Sequence, residues 1–321
     1  MAYSTETVLA VKAEYEKKWE RARAAADARR TEVELAVPRL REIDRELAGT
    51  APLVMRAALS GEGWEKAFAE IKSRNLALQA EKAKLLLEAG FPADYTEVRY
   101  ECPTCKDTGY VGSKMCLCMK RDMARRECEA SGLGQLMATQ SFASFDLSYY
   151  TGTDRDAMAR NLALLRQFTE QFKGRGDPSW LLLGGTGLGK THLSTAVAKE
   201  LIDRGFGVSY VTAQGLVAAF RKSSFGDEEK DPTEPLLTAD LLIIDDLGTE
   251  LATAFAVSAV YSILNARLSA GRSTLVSTNL SQNELRERYA DRITSRLFGE
   301  FYPLLFAGRD IRAQKIARGV Q

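Results

Sequence analysis

The sequence predicts an α/β protein built on a five-stranded parallel sheet, with an all-helical region and a small cysteine-bearing module ahead of it. Three observations carry that expectation. From about residue 155 onward, short apolar runs alternate with helical segments, as in a parallel sheet covered on both faces. One of those runs, Leu181-Leu182-Leu183, leads straight into a glycine-rich loop and then a helical segment. Residues 1 to about 95 are instead dominated by Ala, Glu, Lys, Arg and Leu, the composition of helices.

Composition narrows the class. A chain of 321 residues is long for one domain and comfortable for two. Its 44 Lys and Arg nearly cancel its 43 Asp and Glu, leaving a formal charge of +1. No global basic field announces a nucleic acid, so any such contact must come from local clusters. The first ten residues are polar and mixed, unlike a secretory signal. No apolar stretch approaches the roughly 20 residues of a membrane span. The expectation is a cytoplasmic protein with no membrane partner. Four of the five cysteines fall between 102 and 118, and in a reducing compartment that crowding argues for metal over disulfides.

Taken in order, residues 1–95 form a helical N-terminal domain. Val8, Val11, Tyr15 and Trp19 keep helical spacing, as do Val33, Val37, Leu40, Ile43 and Leu47. Trp64, Phe68 and Ile71 begin a third stripe that continues to Leu78 and Leu85. Pro38 starts or kinks a helix, Gly49 to Pro52 reads as a break, Gly61-Glu62-Gly63 as a turn and Gly90-Phe91-Pro92 as a stop. A self-contained bundle fits these stripes, and so does a module completed by a partner. Residues 96–130 hold the cysteines, and 131–150 read as a linker rich in Ser, Gly and aromatics. Within 151–321, Asp156 to Lys173 is an amphipathic helix. Strands follow at Trp180–Leu183, Gly207–Thr212, Leu241–Asp245, Thr274–Thr278 and Leu304–Ala307, and the charged run Ser223 to Pro235 reads as a surface loop.

The chemistry begins at Gly184-Gly185-Thr186-Gly187-Leu188-Gly189-Lys190-Thr191. Glycines let the backbone turn tightly so that its N–H groups face phosphate oxygens. Lys190 places charge near the β- and γ-phosphates, Thr191 offers a hydroxyl to Mg²⁺, and the following helix aims its positive end at the same anion. This is a nucleoside-triphosphate site. Leu241-Leu242-Ile243-Ile244-Asp245-Asp246 is an apolar strand ending in two carboxylates. Asp245 suits the Mg²⁺ shell, and Asp246 suits orienting a hydrolytic water. Thr274 to Asn279 is another strand with a polar tip, so Asn279 either lies near the γ-phosphate or caps the helix that starts at Ser281. Arg292 and Arg296 share a helix face; in an assembly one can reach a neighbour's γ-phosphate, with Arg296 the first candidate and Arg292 the second. His192, the only histidine, follows Thr191 and is expected to pack beside the loop and not to act as a base.

Cys102-Pro103-Thr104-Cys105 forms a grip of the kind that holds zinc, and Cys116-Leu117-Cys118 supplies a second pair. Four thiolates close a structural site, with Cys128 a substitute ligand. A redox pair is the main rival, but its βαβ context is missing. The basic residues around the cluster, from Arg99 to Arg126, read as solvated charge or as a surface for DNA or an acidic protein.

Together these segments resemble one family. They are Cys-Pro-Thr-Cys-Lys-Asp-Thr-Gly-Tyr (102–110), Phe142 to Tyr150, Gly-Gly-Thr-Gly-Leu-Gly-Lys-Thr-His-Leu (184–193), Ile-Ile-Asp-Asp-Leu-Gly (243–248), Ser-Thr-Asn (277–279) and Gly-Arg-Asp-Ile-Arg (308–312). The chain is similar to bacterial and phage helicase-loader ATPases of the DnaC/DnaI type, zinc-binding variety, within the IstB-like ATP-binding superfamily. The resemblance implies an AAA+ P-loop fold over about 140–318 and ATP as the nucleotide. It implies that Phe145, within Phe142 to Tyr150, borders the adenine, that Arg296 is the arginine finger and that Arg312 senses nucleotide. It also implies partners: a hexameric replicative helicase gripped by the N-terminal domain, single-stranded DNA with Arg221 and Lys222 as contacts, and further copies of the AAA+ domain. ATP state would control assembly and release. Two other functions fit the same motifs: a transposition helper that binds target DNA and a transposase, and a zinc-bearing adaptor whose nucleotide switch does not turn over.

Overall fold

The structure, a computed structural model, describes residues 5–59, 64–130, 133–225 and 231–319. The chain divides into two compact units. One is Ala13–Val111; the other is Gly112–Gln321 together with Met1–Lys12.

The N-terminal helices are α1 (Thr5–Ala36), α2 (Pro38–Ala48), α3 (Thr50–Leu59) and α4 (Trp64–Glu88). Pro38 opens α2 with Val37 as its N-cap. Its fixed φ suits the first turn, and its missing N–H is not needed there. The break expected at Gly49 to Pro52 is only Gly49 wide, because Pro52 sits in the first turn of α3, where a proline is tolerated. The turn expected at Gly61-Glu62-Gly63 lies outside the described residues. Val33, Leu40 and Leu86 form a buried cluster, joined by Val37, Leu85, Phe91 and Tyr95. Around it, Arg39 pairs with Glu81 at 2.9 Å and Lys82 with Asp44 at 2.6 Å. The Arg39–Glu81 pair is open to solvent, and such pairs contribute about 0–1 kcal/mol, less than the apolar cluster.

Two short strands, β1 (Tyr110–Val111) and β2 (Lys114–Met115), make a hairpin between the two cysteine pairs. After it come α5 (Leu117–Ala130) and α6 (Leu133–Thr139). The stretch read as a linker is packed: it holds α6 and a short 3₁₀ turn at Leu147–Tyr149, and buries Phe142, Phe145 and Tyr150 in the core.

The rest alternates: α7 (Gly152–Gln171), β3 (Ser179–Leu183), α8 (Lys190–Asp203), β4 (Val208–Thr212), α9 (Ala213–Phe225), α10 (Glu234–Thr238), β5 (Leu241–Leu247), α11 (Ala254–Ser269), β6 (Ser273–Thr278), α12 (Gln282–Gly299), β7 (Phe301–Leu305) and α13 (Ile311–Ala317). The five strands β3 to β7 are parallel, in the order β4-β5-β6-β3-β7. Successive strand residues face opposite sides. Accordingly Leu182, Leu241 and Ile243 pack in one apolar cluster with Leu165 and Leu193, while Leu181, Leu242 and Ile244 pack in another with Val260 and Leu285. The last strand was expected at Leu304–Ala307 and lies three residues earlier at its start. Pro303 is inside it, opposite Leu181. A proline is tolerated there because β7 is an edge strand, with hydrogen bonds needed on one side only.

Arg267 is fully buried, which nothing in the local pattern announces. Its Nε donates to Thr274 Oγ1 at 3.0 Å, Nη1 to the carbonyls of Leu236 and Ala239 at 2.8 and 3.0 Å, and Nη2 to the Ser273 carbonyl at 2.6 Å. It ties α11, the end of α10 and β6 together. Burial, with Arg272 nearby, pushes its guanidinium down to about 9. Arg267→Met leaves those oxygens without donors and is expected to lower stability by about 3 kcal/mol. A urea titration followed by tryptophan fluorescence reads this, and an unmoved midpoint would rule the tie out.

Candidate functional site

The site forms where the C-terminal tips of β3, β5 and β6 meet the start of α8. Two glycines explain why the loop from Gly184 to Gly189 has its composition. Gly184 has φ 152°, and an added Cβ would lie 2.3 Å from the Phe306 carbonyl oxygen. Gly187 has φ 71°, and a Cβ there would lie 2.0 Å from Asp310 Oδ1. Neither position admits a side chain. The loop is tied down twice: Ile311 N donates to the Gly187 carbonyl and Tyr150 OH to the Leu188 carbonyl, each at 2.9 Å.

A cavity of about 610 Å³ opens over this loop. Its walls are Thr186, Gly187, Leu188, Gly189, Lys190, Thr191 and His192, with Phe145, Asp245, Asp246, Asn279 and Arg312 from elsewhere in the chain. The structure thus gathers nearly every candidate residue for the nucleotide. Gly184 and Gly185 contribute through their carbonyls, each accepting from Lys190 Nζ at 2.7 Å.

Lys190 Nζ also donates to Asn279 Oδ1 at 2.7 Å, and Asn279 Nδ2 donates to Asp246 Oδ1 at 3.1 Å. One amide therefore couples the loop lysine to the second acidic residue. The helix after it is capped by Ser281, in a capping box with Glu284, so Asn279 is not the cap. Burial holds the Lys190 ammonium below the usual lysine range, and the charges of Asp246 and Asp245 oppose that shift.

Thr191 Oγ1 donates to Asp245 Oδ2 at 3.1 Å. Asp245 and Asp246 are neighbours and would point to opposite faces of a regular strand. The pairing of β5 with β6 shifts register between Ile244 and Leu247, and Asp246 takes φ 55°. That bulge turns both carboxylates into the cavity. The Asp246 N–H is satisfied by Ser277 Oγ at 2.9 Å. Burial first, and Asp245 second, raise the Asp246 carboxyl above the usual range.

His192 packs beside the loop. Its Nε2 lies 2.9 Å from the Ser141 carbonyl oxygen, and its ring meets Phe145 edge-on with centroids 5.3 Å apart. Burial lowers its pKa. Arg296 and Arg292 lie away from the chain's own cavity. Arg296 stacks over Tyr261 at 5.3 Å, and Arg292 is exposed.

Three residues escaped the sequence reading. Tyr210 donates to Asp245 Oδ2 at 2.6 Å, and Ser277 Oγ donates to Asp245 Oδ1. Buried Glu250 accepts from Gly248 N at 3.0 Å and from Tyr289 OH, linking the loop after β5 to α12. Only Ser277 had a signal, its place in Ser-Thr-Asn. The other two needed the strand order and the packing of α12.

The sulfurs of Cys102, Cys105, Cys116 and Cys118 all lie within 4.8 Å of one another. Thiolates around a tetrahedral zinc stand about 3.8 Å apart, so the set fits. Asp107 shapes the first turn, accepting from the N–H groups of Glu101 at 2.9 Å and Cys102 at 2.8 Å. Cys128 is not the substitute ligand left open above: it is buried elsewhere, its Sγ donates to the Val208 carbonyl at 3.5 Å, and burial pushes its thiol up to about 12.

A family model described as IstB-like ATP binding protein matches residues 117–297, more than half of the chain. The chain belongs to that family. The matched span contains Lys190, Asp245, Asn279 and Arg296, and the nucleotide cavity is that of an IstB-like ATP-binding protein. The Escherichia coli K12 replicative helicase loader DnaC is 26% identical over 175 residues, 54% of this chain and 69% of that protein. The phage-like element PBSX protein XkdC of Bacillus subtilis is 30% identical over 210 residues, 61% and 77% of the two chains. A crystal structure of the DnaC helicase loader covers 53% of this chain and 98% of its own, with 22% identity and a TM-score of 0.46. Among the described residues no helix is long and apolar enough to cross a membrane.

The raised Asp246 carboxyl has a stability consequence. A carboxyl whose folded pKa exceeds its unfolded value destabilises the fold at any pH above both. Asp246→Asn is therefore expected to raise the thermal midpoint at pH 7. The gain should shrink as pH falls toward about 4, where the unfolded carboxyl also takes up its proton. Melts across that range check it; a gain independent of pH would exclude this cause.

Proposed function

We propose that this IstB-like protein is an ATP-dependent loader of a replicative DNA helicase onto single-stranded DNA. The observation that carries the reading is the joined hydrogen-bond set Lys190–Asn279–Asp246 beside Thr191–Asp245 in one cavity. Both ends of a phosphoryl-transfer site are present on one chain. Bound Mg²⁺–ATP would supply the transferable γ-phosphoryl group and the charge that neutralises it. Lys190 would bind the β- and γ-phosphates, Thr191 and Asp245 would hold the cation, and Asp246 with Asn279 would orient a water. Phe145 would border the base and Arg312 would report nucleotide state from α13. Arg296, away from its own cavity, would complete the site of a neighbouring copy, making assembly depend on ATP. In this reading residues 1–95 grip the helicase, 96–130 form the zinc module, 131–150 connect it and 151–321 are the AAA+ motor, working in the cytoplasm. The helicase partner rests on the names of relatives such as DnaC. A second reading is an IstB-type transposition helper, which is equally compatible with membership of the IstB-like ATP binding family.

Co-purification with the host helicase, with and without ATP, tests the leading proposal. Capture of a transposase in place of the helicase would favour the second reading. Lys190→Ala is expected to lower phosphate release by about 100-fold or more. Arg296→Ala alone should also be slow, yet an equal mixture of the two variants should regain activity, because a Lys190→Ala copy still offers Arg296 to its neighbour. A mixture no faster than its parts would sink Arg296 as a trans-acting group, and Arg292→Ala mixed in the same way tests the second candidate.

Metal analysis of the purified chain is expected to find about one zinc per chain, lost in Cys105→Ser and kept in Cys128→Ser. Zinc retained in Cys105→Ser would exclude the four-thiolate site.

A further inference from the structure

Three hydroxyls from three elements hold the Asp245 carboxylate. Thr191 Oγ1, in the first turn of α8, donates to Oδ2 at 3.1 Å; Ser277 Oγ, on β6, donates to Oδ1; Tyr210 OH, on β4, donates to Oδ2 at 2.6 Å. Thr191 and Ser277 lie in segments that mark a phosphate site by themselves. Tyr210 does not. It stands beside Ile243 in the register, and Thr212 stands beside Asp245. Tyr210 is thus two residues short of the tip, about 6.6 Å along the strand. It lies on the same face as Asp245, because residues two apart share a face. Only a long side chain with a terminal hydroxyl spans that gap. The ring is half-buried and the residue lines the nucleotide cavity.

We propose that Tyr210 is a positioning residue for the divalent cation: its hydroxyl fixes the orientation of the Asp245 carboxylate, so that the remaining lone pair faces a cation shared with Thr191 and the nucleotide phosphates. The inference rests on the reading of Asp245 and Thr191 as the magnesium-holding pair. An ionised carboxylate has about four lone-pair sites. Three are occupied by donors here, which leaves the group little freedom to rotate. Mg²⁺ demands near-ideal octahedral geometry, so a carboxylate fixed in advance binds it better than one that swings. Groups behind a metal ligand typically contribute about 10- to 100-fold in metal affinity. Ser277 and Thr191 remain when Tyr210 is altered, so the lower end applies.

The test uses the full chain with a fluorescent ATP analogue, titrated first in EDTA and then against rising MgCl₂, with the thermal midpoint recorded in parallel. Tyr210→Phe removes one oxygen and keeps the ring. It is expected to bind the analogue in EDTA as the parent does, to keep the parent's thermal midpoint, and to need about tenfold more Mg²⁺ for half-maximal tightening. Ser277→Ala withdraws the donor from the other carboxylate oxygen and should move the Mg²⁺ midpoint the same way, so the test survives if one variant folds poorly. An unmoved Mg²⁺ midpoint in folded Tyr210→Phe overturns the inference. Equal weakening with and without Mg²⁺, together with a lowered thermal midpoint, also overturns it, since that marks a packing role. If the unaltered chain binds no analogue even with Mg²⁺, the nucleotide-site reading itself fails, an outcome distinct from an unmoved Mg²⁺ midpoint.

Discussion

Lys190 is a buried ammonium, and a buried charge must be surrounded by acceptors. Two of its acceptors are carbonyls of the loop that precedes it, Gly184 and Gly185. Those are available only because the loop curls back over the start of α8, which its glycines permit. The third is Asn279, at the tip of β6. That contact requires β6 to lie directly beside β3, as the strand order places it. The burial of one lysine, the glycines and the strand order thus form a single constraint.

From Asn279 the same constraint extends to β5. Its amide reaches Asp246 only because the strand bulges there and Asp246 adopts a left-handed conformation. A non-glycine residue in that region costs of order 1–3 kcal/mol, and persists when its surroundings over-determine it. Here the surroundings do: Ser277 accepts from the Asp246 backbone and donates to the Asp245 carboxylate. Two adjacent carboxylates facing one cavity also oppose each other, which is part of why the Asp246 carboxyl is raised. The molecule holds local backbone strain and like-charge repulsion at the place where a bound cation would offset the repulsion.

The surroundings of the cavity are held to the loop by hydrogen bonds to its carbonyls. The start of α13 bonds to Gly187, and Tyr150 bonds to Leu188. Arg312 on α13 and Phe145 near Tyr150 are thereby placed against the phosphate loop although they are distant in sequence. Glu250 offers a comparable link on the other side, from the loop after β5 to Tyr289 on α12, the helix that carries Arg292 and Arg296.

The glycine-rich loop, the acidic strand tip and the cysteine pairs were legible in the sequence because each is a local pattern with a local physical cause. Backbone that must turn needs glycine, a buried strand needs an apolar run, and a metal grip needs closely spaced thiols. The same local logic located five strands, and its largest slip is at β7, where an edge position tolerates Pro303. It could not decide between sensor and cap for Asn279, because both roles use the same side chain at the same strand end. Packing removed the cap, since Ser281 caps the helix while the Asn279 side chain is engaged with Lys190. Nor could it find Tyr210 or Arg267, whose partners lie on elements brought alongside by the sheet order and the helix packing. Residue type and short spacing were enough to mark the candidate groups for phosphate and metal. Which of them touch emerged only from the folded sheet, because hydrogen bonds between strand tips depend on which strands are neighbours, and that is a property of the whole sheet.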